Sequence, residues 1–388
     1  MKKKISIVIP YCNRINTLKY VLKALNAQTM DKKDFEIIVG CLEYSTELLD
    51  FVKKELSNLN LVLVMTNDSW NVSRARNIAI KEAIGDLIVF LDADILVQTK
   101  YLELTYQTYL SSDDPLFILG QTRDYDEGID VNKSTMLAYE HYFENFLQKT
   151  AADVNLPQDV RWETEHHIEW ALGWSANISL SREFLMEKDL LFDQNFKDWG
   201  VEDIEWAYRV VRAGAKIHFS REIWAIHLPH LRNVEKNHYT EKVNFKKMLY
   251  KWPALDVEII TTFGDIKGNQ RFNEVMDNIS RVTTDQCKDI CTIEFKDSHQ
   301  NKYLYVGACT GKDKTIHHNF LPDELKSYSI SKILPLLGIS LPYTDNSIKK
   351  IFYSPEIELF DEPIKKLLDT ETKRISKTVI QSKIEVDI

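Results

Sequence analysis

The chain has 388 residues, 44% of them hydrophobic and 28% charged, with a formal net charge of −9. That composition describes an ordinary globular protein long enough for two or three domains. The acidic balance disfavours binding to a nucleic-acid backbone, and no apolar run is long enough to span a bilayer. Five cysteines, Cys12, Cys41, Cys287, Cys291 and Cys309, are scattered and odd in number. They make no disulfide framework and imply a reducing, cytoplasmic setting, with peripheral attachment to the inner face of a membrane left open. Cys287 and Cys291 are spaced to share one face of a helix, and zinc there is the less favoured reading for want of a second pair. The opening Met-Lys-Lys-Lys leads straight into a strand-like run rather than a signal-peptide core.

Residues 4–10 are β-branched and apolar, a central strand closed by Pro10, with Tyr11 to Arg14 as the turn after it. Leu18, Val21, Leu22 and Leu25 then form the stripe of an amphipathic helix. Further strands are expected at 35–39, 59–65 and 87–91, with helices at 45–57 and 72–84 between them. Strands alternating with helices at this spacing imply an α/β fold built on a mostly parallel, doubly wound sheet.

The fourth strand, Leu87 to Leu91, stops at Asp92 and Asp94. Open α/β sheets bind ligands at that edge. Two carboxylates there repel each other unless a divalent cation, Mg2+ or Mn2+, sits between them and something anionic. The plainer reading is that they cap a helix starting near Thr99. Asn13, Arg14, Glu43, Arg74, Arg76 and Asn77 also fall at strand ends or in a helix first turn, so all can converge in one crevice. Arginines at a helix start suit a diphosphate or a base. For Arg74 alone, surface pairing with Glu82 or Asp86 is as good an account.

Between 100 and 170 the chain is rich in aromatics, including Tyr101, Tyr106, Tyr109, Tyr125, Tyr139, Tyr142 and Phe143. Helix packing is the expected role of most of them. A strand is expected at 116–119 and helix over 133–150. Beyond lie a strand through Ser179, a short helix, and a second helix opening at Gly200 with Glu202 and Asp203 in its first turn. Dipole complementation competes with catalysis as an account of these carboxylates, more strongly for Glu205 than for Asp203. A strand at 215–219, a stretch bearing His227, His230 and Arg232, and a helix at 235–250 follow.

Ser6-Ile-Val-Ile-Pro-Tyr-Cys-Asn-Arg14, Glu36-Ile-Ile-Val39, Asn71-Val-Ser-Arg-Ala-Arg-Asn77 and Leu87-Ile-Val-Phe-Leu-Asp-Ala-Asp94 resemble, in order and spacing, the nucleotide-binding half of a family 2 glycosyltransferase with a GT-A fold. The resemblance covers residues 4–95. It implies a Rossmann-like sheet and a nucleotide-sugar donor, UDP-linked in most members. It implies Mn2+ or Mg2+ held by Asp92 and Asp94, and a donor site lined by Pro10, Tyr11, Asn13, Arg14, Arg76, Asn77, Asp92 and Ala93. One departure stands out. The family's Asp-Asp-Gly-Ser run, whose first Asp pairs with uracil, is here Gly40-Cys-Leu-Glu-Tyr-Ser45, with Glu43 in its place.

Residues 170–210 are similar to the acceptor-side motif of β-galactosyltransferase-like, chondroitin-polymerase-like and polypeptide N-acetylgalactosaminyltransferase-like enzymes, through Asn177, Trp199, Gly200, Glu202 and Asp203. That likeness implies Asp203 as general base of an inverting transfer, with Glu202 beside it. It also implies Trp199 and Gly200 at the acceptor, and Gly173 and Trp174 bordering the donor sugar. His227 would complete the metal site, with His230 and Arg232 on a loop closing over the diphosphate. A surface or core histidine is an equal account of His230. The acceptor is expected to be a glycan, lipid-linked or peptide hydroxyl. Retaining transfer, and sugar-nucleotide binding without catalysis, are the alternatives.

The expected organisation is a catalytic domain at 1–253, a connector of strand and helix pieces at 254–295, and an α/β accessory module at 296–388. Lys302 to Gly311 and Leu341 to Ser347 loosely resemble a shortened class I methyltransferase. The acidic residue that would bind a cofactor ribose is missing from Ser327 to Ser331, so the module is expected to be Rossmann-like, degenerate and noncatalytic, serving acceptor binding or a homodimer.

Overall fold

The fold is taken from a computed structural model, which describes residues 3–124, 139–150, 152–283, 287–311 and 321–381. The chain divides into two compact units, residues 1–163 with 169–244, and residues 164–168 with 245–388.

In the first unit, β1 (Lys3–Tyr11), β2 (Phe35–Cys41), β3 (Leu61–Met65) and β4 (Gly85–Leu91) alternate with α1 (Ile15–Asn26), α2 (Thr46–Glu55) and α3 (Val72–Glu82). Then come β5 (Ile95–Val97), α4 (Tyr101–Leu110), β6 (Leu116–Arg123), α5 (Tyr139–Phe146), β7 (Asn177–Ser181), α6 (Arg182–Glu187), α7 (Glu202–Arg212), β8 (Lys216–His227) and α8 (Val234–Lys251). The eight strands form one sheet in the order β3-β2-β1-β4-β7-β6-β8-β5. Its first four strands are parallel, as their alternation with helices requires. The other half is mixed: β7 runs antiparallel to β4 and β6, β6 parallel to β8, and β5 antiparallel to β8. This is the α/β architecture expected, a mostly parallel sheet flanked by helices. The expected helix over 133–150 is seen from Tyr139 to Phe146; residues 125–138, Tyr125 among them, lie outside the described residues.

Side chains alternate across the sheet. Ile5, Ile7, Ile9, Leu87, Val89 and Leu91 face one core with Leu18, Leu22 and Leu25 of α1, Leu48 and Phe51 of α2, and Tyr101 and Leu102 of α4. On the opposite face Phe90 meets Phe192 and Trp206 at ring distances of 5.4 and 5.3 Å, and Phe192 stacks on Trp206 at 4.7 Å. That aromatic cluster fastens α7 to β4. Gly40 lets α3 approach β2 closely, since a Cβ there would lie 2.0 Å from the Ala75 carbonyl oxygen.

In the second unit, α9 (Leu255–Phe263), α10 (Asp265–Gln270) and α11 (Phe272–Val282) make residues 255–282 helical. A five-stranded sheet follows, β9 (Asp289–Lys296), β10 (Lys302–Thr310), β11 (Ser329–Leu334), β12 (Lys350–Tyr353) and β13 (Val379–Gln381), in the order β11-β9-β10-β12-β13. Parallel pairing joins β10, β12 and β13. β9 is antiparallel to both β10 and β11, so this smaller sheet is mixed. The loop Leu337–Ser340 is stapled by Glu258, which accepts the amide protons of Leu337, Gly338 and Ser340 at 2.6, 2.7 and 3.0 Å.

The cysteines depart from the expectation of no disulfide and of a shared helix face. Cys287 and Cys309 form a disulfide with their Cα atoms 5.2 Å apart. Cys291 lies on β9, not on a helix shared with Cys287. The cause is the β9–β10 register, which pairs Cys291 with Ala308 and Ile290 with Cys309 and so brings Cys287 to the same end of the ladder. No helix of the described residues is long and apolar enough to cross a membrane.

Candidate active site

The register sets the site. Tyr11 pairs with Cys41 and Cys41 with Met65, while Val8 pairs with Phe90, so β1 to β4 end along one edge. On the other half, Ile95 pairs with His227, and the Leu228 amide donates to the Asp94 carbonyl at 2.8 Å. That short antiparallel pair brings the β8 terminus to the acidic tip of β4.

Asp94 is 2% exposed and is the hub of a first cluster. Arg14 donates to its Oδ2, on which His230 Nδ1 also closes at 3.2 Å, and His227 Nε2 stands 4.0 Å from Oδ1. Arg232 reaches to 3.5 Å from His227 Nδ1. Burial pulls the Asp94 carboxyl upward, but Arg14 and the two histidines outweigh it and hold the group below its ordinary value. Burial pushes His227 down to about 3 and His230 down to about 4, so both rings are neutral at pH 7. One atom each from Asp94, His227 and His230 lies within 4.8 Å of the others. One carboxylate and two neutral imidazoles are a donor set that fits a divalent metal. Among the described residues this is the grouping of that kind, and it includes His230 where the expected trio had Asp92. The His227-x-x-His230 spacing was the available signal.

Asp92 belongs to a second cluster. It is 34% exposed and accepts from Arg76 Nη2 at 3.0 Å, while Arg76 Nη1 donates to Glu202 Oε1 at 3.0 Å. Arg76 itself is 2% exposed and lies 5.1 Å over the Phe192 ring. Burial opposes its charge, yet Asp92, Glu202 and Asp203 more than compensate, and its pKa is raised. Glu202 is pushed up to about 7, by burial first and by Asp203 next, against the pull of Arg76. Gly200 and Val201 turn the chain into α7 with φ of +93° and +73°. A β-branched residue in that region is strained, a cost met most often beside functional groups. Asp203 follows at once, its Oδ2 accepting the Ser175 amide and hydroxyl at 3.0 and 3.2 Å and its Oδ1 the Ile204 amide at 2.9 Å.

Pro10, Tyr11 and Ala93 are buried at the strand tips. The Asn13 amide donates to Glu43 Oε1 at 3.0 Å, tying the β1 turn to the β2 turn. Asn77 is turned away, its amide exchanging hydrogen bonds with the Phe192 main chain at 2.8 and 2.9 Å. Gly173 packs against α7, where a Cβ would sit 2.5 Å from that of Ala207. Trp174 lies 4.7 Å from the Arg161 guanidinium. The Trp199 and Gly200 carbonyls accept from Thr240 and Asn244 at 3.0 and 2.9 Å. Arg74 pairs with Asp68 rather than Glu82 or Asp86, at 2.8 Å.

Residues 6–162 match the family model described as glycosyl transferase family 2. That stretch is the one that resembles a family 2 glycosyltransferase domain. Over 265 residues it is 28% identical to validoxylamine A glucosyltransferase of Streptomyces hygroscopicus subsp. jinggangensis (strain 5008), covering 66% of this chain and 62% of that protein. Over 228 residues it is 27% identical to chondroitin synthase of Pasteurella multocida (strain Pm70), covering 54% of this chain and 23% of that protein. The chain thus spans less than two thirds of the length of either curated relative. The crystal structure of S. aureus TarS 1–349 in complex with UDP-GlcNAc is similar with a TM-score of 0.47 and 19% identity, over 66% of each chain. The family 2 match ends before α7 and β8, so Asp203, His227 and His230 fall outside the matched residues.

Proposed function

We propose that this protein is a metal-dependent, inverting glycosyltransferase that moves a sugar from a nucleotide diphosphate, UDP in the first instance, to a hydroxyl acceptor. The observation that carries the reading is the meeting of two acidic clusters at one sheet edge, Asp94 with His227 and His230, and Asp92 with Arg76 and Glu202 beside Asp203. Asp94, His227 and His230 would hold the ion, Mn2+ or Mg2+, and Asp92 would bind the donor. When bound, the ion supplies positive charge to the departing diphosphate. Arg14 and Arg232 add fixed positive charge at the same end.

Asp203 takes the acceptor proton as the acceptor oxygen attacks the anomeric carbon from the face opposite the diphosphate. The bond to the diphosphate oxygen breaks, and the configuration inverts. Arg76 fixes Asp92 relative to Glu202, and so ties the donor strand to the helix that carries the base. Glu43, which accepts the Asn13 amide proton, takes the part of the residue that reads the nucleobase. The C-terminal module is an accessory element for acceptor binding or dimerisation, and the enzyme is cytoplasmic or peripheral to the inner face of a membrane.

A panel of nucleotide-sugars (UDP-glucose, UDP-N-acetylglucosamine, UDP-galactose, GDP-mannose) assayed for Mn2+-dependent hydrolysis tests the reading without a known acceptor. Turnover of one donor that is lost in Asp203→Asn, with Mn2+ and UDP binding retained, is the expected result. Wild-type turnover in Asp203→Asn would refute the base, and NMR of the product anomer separates inversion from retention.

A further inference from the structure

Asp203 stands just past the Gly200–Val201 turn, and its placement depends on a residue that no motif marked. Ser175 is 1% exposed and lies in the segment between the helical turn at 169–172 and β7. It gives both its amide and its hydroxyl to the same oxygen of Asp203, at 3.0 and 3.2 Å. Two donors converging on one carboxylate oxygen fix the side-chain rotamer and so the direction in which the carboxylate faces.

The segment that bears Ser175 is itself anchored. Arg161 is fully buried; its guanidinium is held by Asp159, donates to the Leu172 and Gly120 carbonyls at 3.0 and 2.9 Å, and lies 4.7 Å from the centre of the Trp174 ring. Asp159 in turn accepts the Thr122 amide of β6 at 2.7 Å. A chain of contacts therefore runs from the sheet through Asp159, Arg161 and Trp174 to Ser175 and the carboxylate. The charged groups facing Asp203 are Glu202 on its own helix, Arg76 on α3 and Asp92 past β4. Arg76 is already shared between Asp92 and Glu202. The direct, dedicated contacts to Asp203 come from Ser175 and the Ile204 amide.

We propose that Ser175 is the positioning residue for the general base: its hydroxyl holds the Asp203 carboxylate aimed, on a platform set by Arg161 and Trp174. This rests on the reading of Asp203 as base, and the test separates the two. The kcat and donor KM for Mn2+-dependent hydrolysis of the donor turned over in the nucleotide-sugar panel are measured for wild type, Ser175→Ala, Ser175→Thr and Asp203→Asn, with Tm as a folding control. The expected result for Ser175→Ala is a kcat lowered about tenfold with donor KM unchanged. Ser175→Thr, which keeps the hydroxyl, keeps the wild-type kcat. If Asp203→Asn is inactive while Ser175→Ala keeps the wild-type kcat, or changes KM alone, the positioning role is overturned and the base stands. Should Ser175→Ala fail to fold, Ser175→Thr with a lowered kcat and a wild-type Tm overturns the role, and an unchanged kcat supports it. If Asp203→Asn is fully active, base and positioning role fall together.

Discussion

Arg76 and Asp92 are joined by a hydrogen bond of 3.0 Å that crosses from α3 to the tip of β4, and the other arm of the same guanidinium reaches Glu202 at 3.0 Å. One buried cation thereby sets the distance between the acidic end of the strand and the helix bearing Asp203. Replacing Arg76 by Ala leaves Glu202 buried without its counter-charge. A loss of about 3–5 kcal/mol is expected, read by urea unfolding. Arg76→Lys keeps the charge but not the fork, and should lose less stability while still uncoupling the two carboxylates.

Glu202 also makes stability depend on pH. Its ordinary value is 4.5 and its folded value about 7, so between them the folded chain holds a proton that the unfolded chain has released. The contribution of this group is full below about 4.5 and is lost as pH rises through about 7. Glu202→Gln removes the dependence. The Tm of wild type minus that of Glu202→Gln should therefore fall by about 2–4 °C between pH 5 and pH 8.

The Cys287–Cys309 disulfide closes a loop across a sequence separation of 22. By loop entropy it stabilises the second unit by about 3 kcal/mol. Thiol titration of the denatured, unreduced protein should count Cys12, Cys41 and Cys291 as free, and dithiothreitol should expose the remaining pair. Reduction should lower the Tm, and Cys309→Ser should reproduce the fall without reductant.

Gly40 tests the seating of α3. A methyl there meets the Ala75 carbonyl oxygen at 2.0 Å, and a backbone oxygen cannot swing aside as a side chain can. Gly40→Ala should cost about 1–3 kcal/mol in thermal or urea unfolding. Because α3 carries Arg76, the variant should also weaken Mn2+-dependent donor hydrolysis.

The parallel half of the sheet was legible because each of its strands is an unbroken apolar run ended by a turn, and each intervening helix carries its own stripe. Asp92, Asp94 and Arg76 stood out for the same reason, as polar groups at the ends of such runs. Long-range pairing was not legible. Nothing local in Ile95 to Val97 marks a strand, and it becomes one only against Ala225 to His227, which is what carries His230 to Asp94. Cys287 and Cys309 are likewise set together by the β9–β10 register rather than by spacing. Asn77 lies one residue from Arg76 and shares its motif, yet the helix turns it to the Phe192 backbone. Ser175 escaped notice because a buried serine has no pattern of its own; its meaning comes from the carboxylate it meets in space.

The proposed transfer depends on a divalent ion held where β4 and β8 end. Anomalous scattering from crystals of the full chain grown with Mn2+ and UDP locates that ion. A single strong manganese peak within bonding distance of Asp94, His227 and His230, with the diphosphate beside it, is expected. A nucleotide bound with no peak there, or with the metal on other residues, would contradict it.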